Sequence, residues 1–195
     1  MPKRTVQVNR KTRETDVTVA LSLDGGSYEN ETGVGFFDHM LDHVARHGGF
    51  GLRVSASGDR QIDDHHTVED VGIVLGQALD QALGDKKGIE RFGFASVPMD
   101  EALARVSIDL SGRSSLEFEA AFRGDAAKIG QFDVQLVREF LTALVNNGRF
   151  NCHVEVPRGS NDHHIAEAIF KALGRSLRQA VAVTGKDVPS TKGTL

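Results

Sequence analysis

Two short segments of the sequence combine a pair of histidines with a glutamate at the same spacing. They are DHHTVED, with His65, His66 and Glu69, and DHHIAEA, with His163, His164 and Glu167. Residues four apart on an α-helix share a face, whereas adjacent residues point about 100° apart. The first histidine and the glutamate of each segment could therefore bind one metal ion, while the second histidine must point elsewhere.

This geometry predicts two metal ions, each bound by a His/Glu pair from one segment and by a single histidine from the other. Imidazole and carboxylate ligands without a thiolate favour a divalent ion such as Mn²⁺, with Zn²⁺ and Fe²⁺ as alternatives. One HHxxE segment on a helix is more often a solvated polar face than a metal site. Two such segments in equivalent places of a repeat favour metal binding.

The two segments belong to an internal repeat. LDHVARHGGFGLRVSASGD, from Leu41, matches LTALVNNGRFNCHVEVPRG, from Leu141, at an offset of 100 residues. The DHH segments match at an offset of 98, and VALSLDGGS matches RVSIDLSGRS at an offset of 87. We interpret these matches as the duplication of a unit of roughly 85–90 residues. The repeats cover approximately residues 10–87 and 97–185 of a single domain at 1–195, followed by a C-terminal tail at 186–195.

Each repeat predicts the order strand, helix, strand, helix. Polar and apolar residues alternate at 18–23 and 104–110, which indicates strands with one buried face. Further strands are predicted at 51–56 and 151–156, and a second helix begins near each DHH segment. Apolar residues four apart indicate the first helix of the second repeat: Phe132, Leu136, Phe140 and Leu144.

The fold class that follows is α+β. We expect two similar halves, each an antiparallel or mixed sheet with two helices, and the four helices packed together. Asp64 and Asp162 could cap the second helices, and Gly84 and Gly185 mark their ends. Connecting loops are expected at 27–35, 57–63, 123–130 and 184–195.

The repeat also suggests further ligands. His39 lies on the first helix of the first repeat, and its counterpart at an offset of 100 is Glu139. Both residue types bind metals. His43 and His47 share the face of His39 and could be ligands, orienting groups, substrate contacts or ordinary surface histidines. His153 lies in a predicted strand, where a structural role is expected.

A second group of residues could bind an anion. Arginine suits phosphate because its planar guanidinium donates two parallel hydrogen bonds. Scattered cations are ordinarily solvated surface residues, so each of these is a weak prediction when taken singly. The candidates are Arg91, Arg113, Lys171, Ser190, Thr191 and Lys192.

The composition excludes several classes of protein. A net charge of −4 without a long basic run gives no support to a nucleic-acid partner. The sequence contains no apolar stretch of the roughly 18 residues that a membrane span needs, and its charged start does not resemble a secretory signal. Cys152, the one cysteine, fits a buried structural thiol in a reducing compartment. We therefore expect a cytoplasmic protein.

Longer motifs in this order resemble one known family. From about Arg10 to Leu195 the chain resembles the imidazoleglycerol-phosphate dehydratases of histidine biosynthesis. The motifs that carry the resemblance are FFDHMLDHVARHGGF, DDHHTVEDVGIVLG, RFG, SGRSSL, DHHIAEAIFKALGRSLRQA and PSTKGTL.

This resemblance implies a fold like the second domain of ribosomal protein S5 and a homo-oligomer of 24 subunits with metal sites at subunit contacts. It implies two Mn²⁺ ions in each active site. Some members carry histidine at the position of Glu139, where a carboxylate can still bind Mn²⁺. One ion is implied at His39, His66, His163 and Glu167, and the other at His65, Glu69, His164 and Glu139.

The implied reaction converts D-erythro-imidazoleglycerol phosphate to imidazole acetol phosphate and water. Two metals on the ring nitrogens would hold the ring as imidazolate, which can expel the neighbouring oxygen as a proton leaves. By resemblance, Glu14 transfers that proton and contacts the substrate, and His65 and His163 are also catalytic. Substrate contacts are implied at His47, Arg91, Arg113, Lys171, Ser190, Thr191 and Lys192.

Two other functions remain open on the residues alone. A two-metal hydrolase of a small phosphorylated substrate would use the same ligands to activate water. A non-enzymatic, metal-stapled oligomer would need the metals but no anion site. The polar tail is either disordered or a mobile binding segment.

Overall fold

The chain forms two four-stranded mixed sheets, as the computed structural model describes them for residues 4–123 and 127–193. The first sheet has the order β1-β2-β4-β3, in which β3 is parallel to β4 and the other neighbours are antiparallel. Its strands are β1 (Thr5–Lys11), β2 (Thr15–Ser22), β3 (Tyr28–Glu31) and β4 (Gly51–Gly58).

The second sheet repeats this arrangement. Its order is β5-β6-β10-β7, with β7 parallel to β10, and a separate short hairpin joins β8 to β9. The strands of this half are β5 (Phe92–Met99), β6 (Ala102–Asp109), β7 (Ser115–Glu119), β8 (Lys128–Ile129), β9 (Phe132–Asp133) and β10 (Asn151–Arg158).

Two helices accompany each sheet, in equivalent places of the chain order. They are α1 (Gly35–Gly48) and α2 (His65–Leu83) in the first half, and α3 (Gln135–Gly148) and α4 (Asp162–Ala180) in the second. The predicted α+β fold of two similar halves is therefore confirmed.

The helices pair across the two halves. α2 covers β1 and β2 of its own sheet, and α4 covers β5 and β6 of the other. The main helix–helix contacts, however, join α1 to α4 and α2 to α3. One buried core of aliphatic and aromatic residues therefore joins both halves; within it the rings of Phe140 and Phe170 stack with centroids 5.4 Å apart.

Repeat-related glycines allow both helix pairs to approach closely. A Cβ atom added at Gly76 of α2 would lie 2.7 Å from the backbone nitrogen of Gly148 in α3. At the equivalent Gly174 of α4 it would lie 3.0 Å from the backbone nitrogen of Gly48 in α1. Both separations are shorter than ordinary Cβ contacts, so glycine at these crossings allows the helices to lie this close.

Several local predictions are wrong. Phe132 belongs to β9, and α3 begins only at Gln135. Residues 27–35, expected to be a loop, contain the edge strand β3. Residues 124–126 of the loop expected at 123–130 lie outside the described residues.

The helix ends also differ in part from the predictions. The N-cap of α4 is Asn161 rather than Asp162, and its side chain accepts backbone hydrogen bonds from His163 and His164. Asp64 does precede α2, without a capping side-chain bond. Gly84 ends α2, whereas Gly185 lies beyond the end of α4 at Ala180. These shifts matter because Asn161 orients the helix turn that carries two predicted metal ligands.

The tail folds back on the chain instead of extending from it. The backbone of Gly88 bonds to Thr184, Gly185 and Asp187, and Ile89 pairs with Val183. Its last two residues, 194 and 195, lie outside the described part. No helix in the described ranges has the length and apolar character needed to cross a membrane.

Candidate active site

The crossing of α1 over α4 brings together side chains from both halves of the chain. Nε2 of His163 lies 3.1 Å from Oε2 of Glu167. From α1, Nε2 of His39 lies 3.6 Å and Nε2 of His43 lies 3.4 Å from the oxygens of the same carboxylate. The Lys171 ammonium also contacts it. These five side chains are called the α1–α4 cluster.

The charge of Glu167 is maintained although its side chain is only 8% exposed. Burial opposes its ionisation, but Lys171, His43 and His163 outweigh that cost and lower the pKa of the carboxyl to about 2. Burial also lowers the pKa of His43 to about 4, against the attraction of Glu167. The cluster therefore presents an anionic carboxylate and, at His43, a neutral imidazole at neutral pH.

This chemistry fits a divalent metal. Ligand atoms of His39, His43 and Glu167 all lie within 4.8 Å of one another. Neutral imidazole nitrogens and a carboxylate suit Mn²⁺, Fe²⁺ and Zn²⁺. Phe36 packs edge-on against the ring of His163, with centroids 5.1 Å apart, and restricts its orientation. His47 continues the same face of α1, its ring 5.6 Å from that of His43.

His66 lies apart from this cluster, beside two carboxylates of the first half. Its Nδ1 lies 3.0 Å from Oδ2 and 3.2 Å from Oδ1 of Asp59, in the loop between β4 and α2. Glu14, in the β1–β2 turn, approaches the same nitrogen to 3.8 Å and is 57% exposed. The hydrogen bond to Asp59 raises the pKa of His66.

His164 occupies the equivalent place in the second half. Its Nδ1 lies 2.8 Å from Oε2 of Glu101, which follows Asp100 in the β5–β6 turn. Nε2 is 3.7 Å from a carboxylate oxygen of Asp100. The hydrogen bond to Glu101 raises the pKa of His164 and, with backbone bonds from residues 160 and 161, lowers the pKa of Glu101 to about 2.

The remaining predicted ligands lie on the other helix pair. His65 and Glu69 begin α2, and Glu139 lies on α3, which packs against it. Glu139 lines an open cavity of about 430 Å³ with Phe118. Within residues 4–123 and 127–193, no compact group of three or more potential ligands includes these side chains.

The predicted anion contacts lie together, with one exception. Arg91, Arg113 and residues 189–192 line one open cavity of about 560 Å³. Nε and Nη2 of Arg91 donate to the Asp109 carboxylate at 2.7 and 3.1 Å, and Nη1 donates to the Pro189 carbonyl at 2.8 Å. Three of the five guanidinium N–H donors are thus engaged, two with Asp109 of β6 and one with the tail, and two remain for a ligand. The exception is Lys171, which lies in the α1–α4 cluster.

The sequence did not reveal Asp59 and Glu101 as part of the site. A signal for Glu101 was present, because an offset of 87 relates it to Glu14. Asp59 has no equivalent acidic residue in the second repeat. It lies in a loop that is two residues longer than the matching loop there.

Comparisons with known proteins agree on one family. The family model described as imidazoleglycerol-phosphate dehydratase matches residues 32–177, well over half of the chain. The chain belongs to the imidazoleglycerol-phosphate dehydratase family. A dehydratase of this name from Geobacillus thermodenitrificans is 57% identical, with 98% of this chain and 99% of that protein covered. The one from Nitrosomonas europaea is 54% identical over the full length of both.

Solved structures of this dehydratase family share the fold. The Staphylococcus aureus dehydratase has a TM-score of 0.84 at 43% identity, covering 92% of this chain and 99% of that one. The Pyrococcus furiosus enzyme, crystallised with (S)-C348, has a TM-score of 0.84 at 39% identity, covering 96% and 100%. The likeness extends over both halves of the chain.

Proposed function

We propose that the protein removes water from D-erythro-imidazoleglycerol phosphate to give imidazole acetol phosphate in histidine biosynthesis. Family membership supports this activity over the hydrolase and the non-enzymatic scaffold. The observation that carries the proposal is the α1–α4 cluster, a metal-competent group at the crossing of two repeat-related helices. We further propose that the enzyme acts in the cytoplasm.

Two Mn²⁺ ions per active site are the metals we propose, with Zn²⁺ or Fe²⁺ as alternatives. His39, His163 and Glu167 of one set lie together, while His66 points to Asp59. In the second set, His65 and Glu69 lie on α2 and Glu139 lies on α3, the helix that packs against α2, but these three side chains form no compact group among the described residues. Its fourth member, His164, points to Glu101. Each set would therefore gain its fourth ligand from another subunit.

The position of the anion cavity also supports a shared site. Arg91 lies at the beginning of β5, whereas His164 and its partner Glu101 lie near the end of this strand. A strand that runs from Phe92 to Met99 separates its ends by roughly 23 Å at the usual rise per residue. A substrate with only three carbons between ring and phosphate cannot span that distance. We propose that an oligomer of 24 subunits brings cavity and metal ligands together.

When bound, the two metals would act as Lewis acids that hold the substrate ring as imidazolate. Glu14 would move the proton at a carbon that bears a hydroxyl group and that no carbonyl acidifies. Arg113, Ser190, Thr191 and Lys192 would bind the phosphate, with the free donors of Arg91. Binding this remote group would hold the reacting carbon in place. We propose His47 and Lys171 as further substrate contacts and His65 and His163 as catalytic ligands.

An assay of the purified protein with imidazoleglycerol phosphate and Mn²⁺ tests the activity. Product should form, and His39→Ala should abolish most of it, because the α1–α4 cluster loses a ligand. His153→Ala is the matched control, since His153 is exposed on β10 and outside the cluster. No turnover by the wild-type protein with Mn²⁺ bound would refute the proposed reaction.

Metal analysis of two single variants tests the division of ligands. His66→Ala and His164→Ala should each deplete a different one of the two metal sites, because the side chains lie in separate places. Each variant should retain close to one metal ion per chain by elemental analysis. Loss of both ions to the same extent in each variant would contradict the two ligand sets.

A further inference from the structure

We propose that Asp59 and Glu101 are positioning residues that set the tautomer of His66 and His164, so that each ring presents Nε2 to its metal. This inference rests on the proposed function for the presence of the metals. It concerns residues outside both ligand sets.

The hydrogen bonds define the tautomer. A carboxylate only accepts hydrogen bonds, so a neutral imidazole beside it must carry its proton on the facing nitrogen. Asp59 and Glu101 both face Nδ1, at 3.0 and 2.8 Å. In the neutral ring the proton therefore lies on Nδ1, and the lone pair of Nε2 remains for a metal. A group that binds the other nitrogen in this way orients a metal ligand and fixes its protonation.

Glu101 is itself held rigidly by the loop that precedes α4. Its Oε1 accepts backbone N–H bonds from Ser160 at 3.0 Å and Asn161 at 2.8 Å. The Ser160 hydroxyl lies 3.3 Å from the same oxygen. Oε2 is thereby aimed at the ring of His164. Asp59 has no comparable side-chain bond among the described residues, and both of its oxygens lie near Nδ1 of His66.

This difference predicts opposite results for the two amide substitutions. In Glu101→Gln, the two backbone donors should keep the amide oxygen in the place of Oε1. The amide NH₂ would then face Nδ1 and favour the proton on Nε2, the tautomer that cannot bind a metal through Nε2. In Asp59→Asn, the free side chain can turn its oxygen to Nδ1–H and preserve the original tautomer.

The test measures Mn²⁺ affinity of the intact protein by competition with a chelator. Loss of an orienting partner typically weakens metal binding about 10–100-fold. Glu101→Gln should fall in that range and be weaker than Glu101→Ala, which leaves both tautomers accessible. Asp59→Asn should stay near wild type, and Asp59→Ala should be weaker than Asp59→Asn. A purely structural role predicts instead that Gln preserves binding better than Ala.

A second readout is independent of metal and of activity. Solid-state ¹⁵N spectra of the metal-free full chain, labelled at histidine and recorded at a pH high enough to keep the His164 ring neutral, report which ring nitrogen is protonated. Comparison with His164→Ala identifies the signals of His164. Glu101→Gln should move its proton from Nδ1 to Nε2. Retention of the Nδ1–H tautomer in Glu101→Gln would overturn the inference even if the dehydratase assay succeeds, and absence of turnover would leave this spectral result valid.

Discussion

The two halves carry a glutamate at the same place but hold it differently. Glu14 and Glu101 each directly precede the second strand of their sheet, β2 or β6. Glu101 has one oxygen on His164 and the other on two backbone N–H groups. Glu14 lies 3.8 Å from His66, and no hydrogen-bond partner engages its carboxylate in the described part of the chain. The duplicated carboxylate is thus bound to a histidine ring and two backbone N–H groups in one half, whereas in the other half we propose that it transfers the proton.

Asp59 accounts for this difference. The loop between β4 and α2 is longer than its counterpart between β10 and α4, and it supplies the carboxylate that faces Nδ1 of His66. Because Asp59 already accepts the hydrogen bond of the His66 ring, Glu14 is not needed to orient that ring. In the second half the shorter loop has Gly159 and Ser160 instead of an aspartate. There Glu101, in the β5–β6 turn, accepts the hydrogen bond of the His164 ring. In the proposed mechanism, this difference in loop length leaves Glu14, and not Glu101, available for proton transfer.

The largest expected effect is a loss of kcat on substitution of Glu14, the glutamate that is proposed to transfer the proton. Glu14→Gln should lower kcat by about 10²–10⁴-fold, because a general acid–base group typically contributes that much. Its metal content should remain that of the wild type. Steady-state kinetics with elemental analysis check this. Unchanged kcat in Glu14→Gln would remove the functional contrast with Glu101.

A smaller effect concerns the tail, which follows α4 and has no counterpart in the first half. Deletion of residues 190–195 should raise KM roughly 10–100-fold, since hydrogen bonds to a charged phosphate contribute about 1.5–3 kcal/mol each. The metals should remain bound, because the described tail lines the anion cavity rather than the α1–α4 cluster. Initial-rate kinetics measure KM, and a normal KM after truncation would exclude the tail from substrate binding.

The glycine crossings should respond alike in the two halves. Gly76→Ala and Gly174→Ala should each destabilise the protein by about 1–3 kcal/mol, since overpacking forces the paired helices apart. Denaturant unfolding measures the loss. Ser55→Ala, at an exposed position of β4, is the control. A stability loss at only one glycine would show that the two helix crossings are not mechanically equivalent.

The smallest effect is expected at Cys152, the counterpart of Leu52 in the first half. Burial raises the pKa of its thiol to about 12, so almost no thiolate exists at pH 8. A thiol reagent should label it only after unfolding, with mass spectrometry as the readout. Rapid labelling of the native protein would mean that Cys152 on β10 is far more accessible to solvent than its counterpart Leu52 on β4.

The sequence predicted the fold well because duplication doubled each signal. Two DHH segments at matching places indicated helices and metal ligands more strongly than either alone, and the alternating runs identified β2 and β6. The edge strands of both four-stranded sheets, β1, β3, β5 and β7, were missed, and some of them, such as YENE, carry few apolar residues. Phe132 was assigned to a helix because a periodic apolar residue does not reveal where the helix begins.

The site was predictable only in its residue types. Helix geometry separated His65 from His66, but it did not indicate that α1 would pair with α4 across the halves. Pairing between distant helices depends on close backbone approach, as at Gly174 and Gly48, which a repeat pattern does not specify. Asp59 was missed because it lies in an irregular loop without a repeat counterpart, whereas Glu101 had a counterpart in Glu14 that the sequence analysis did not use.

Each half packs its helices against those of the other half, α1 on α4 and α2 on α3. This arrangement suggests how such a chain could arise. A single ancestral half would expose the surface of its first helix unless a second copy supplied the helix that covers it, so it would exist as a symmetric dimer. Gene fusion then turns dimerisation into an intramolecular event that no longer depends on protein concentration. After fusion each copy can change independently of the other. Glu14 could therefore lose a hydrogen bond to His66 while Glu101 kept the one to His164.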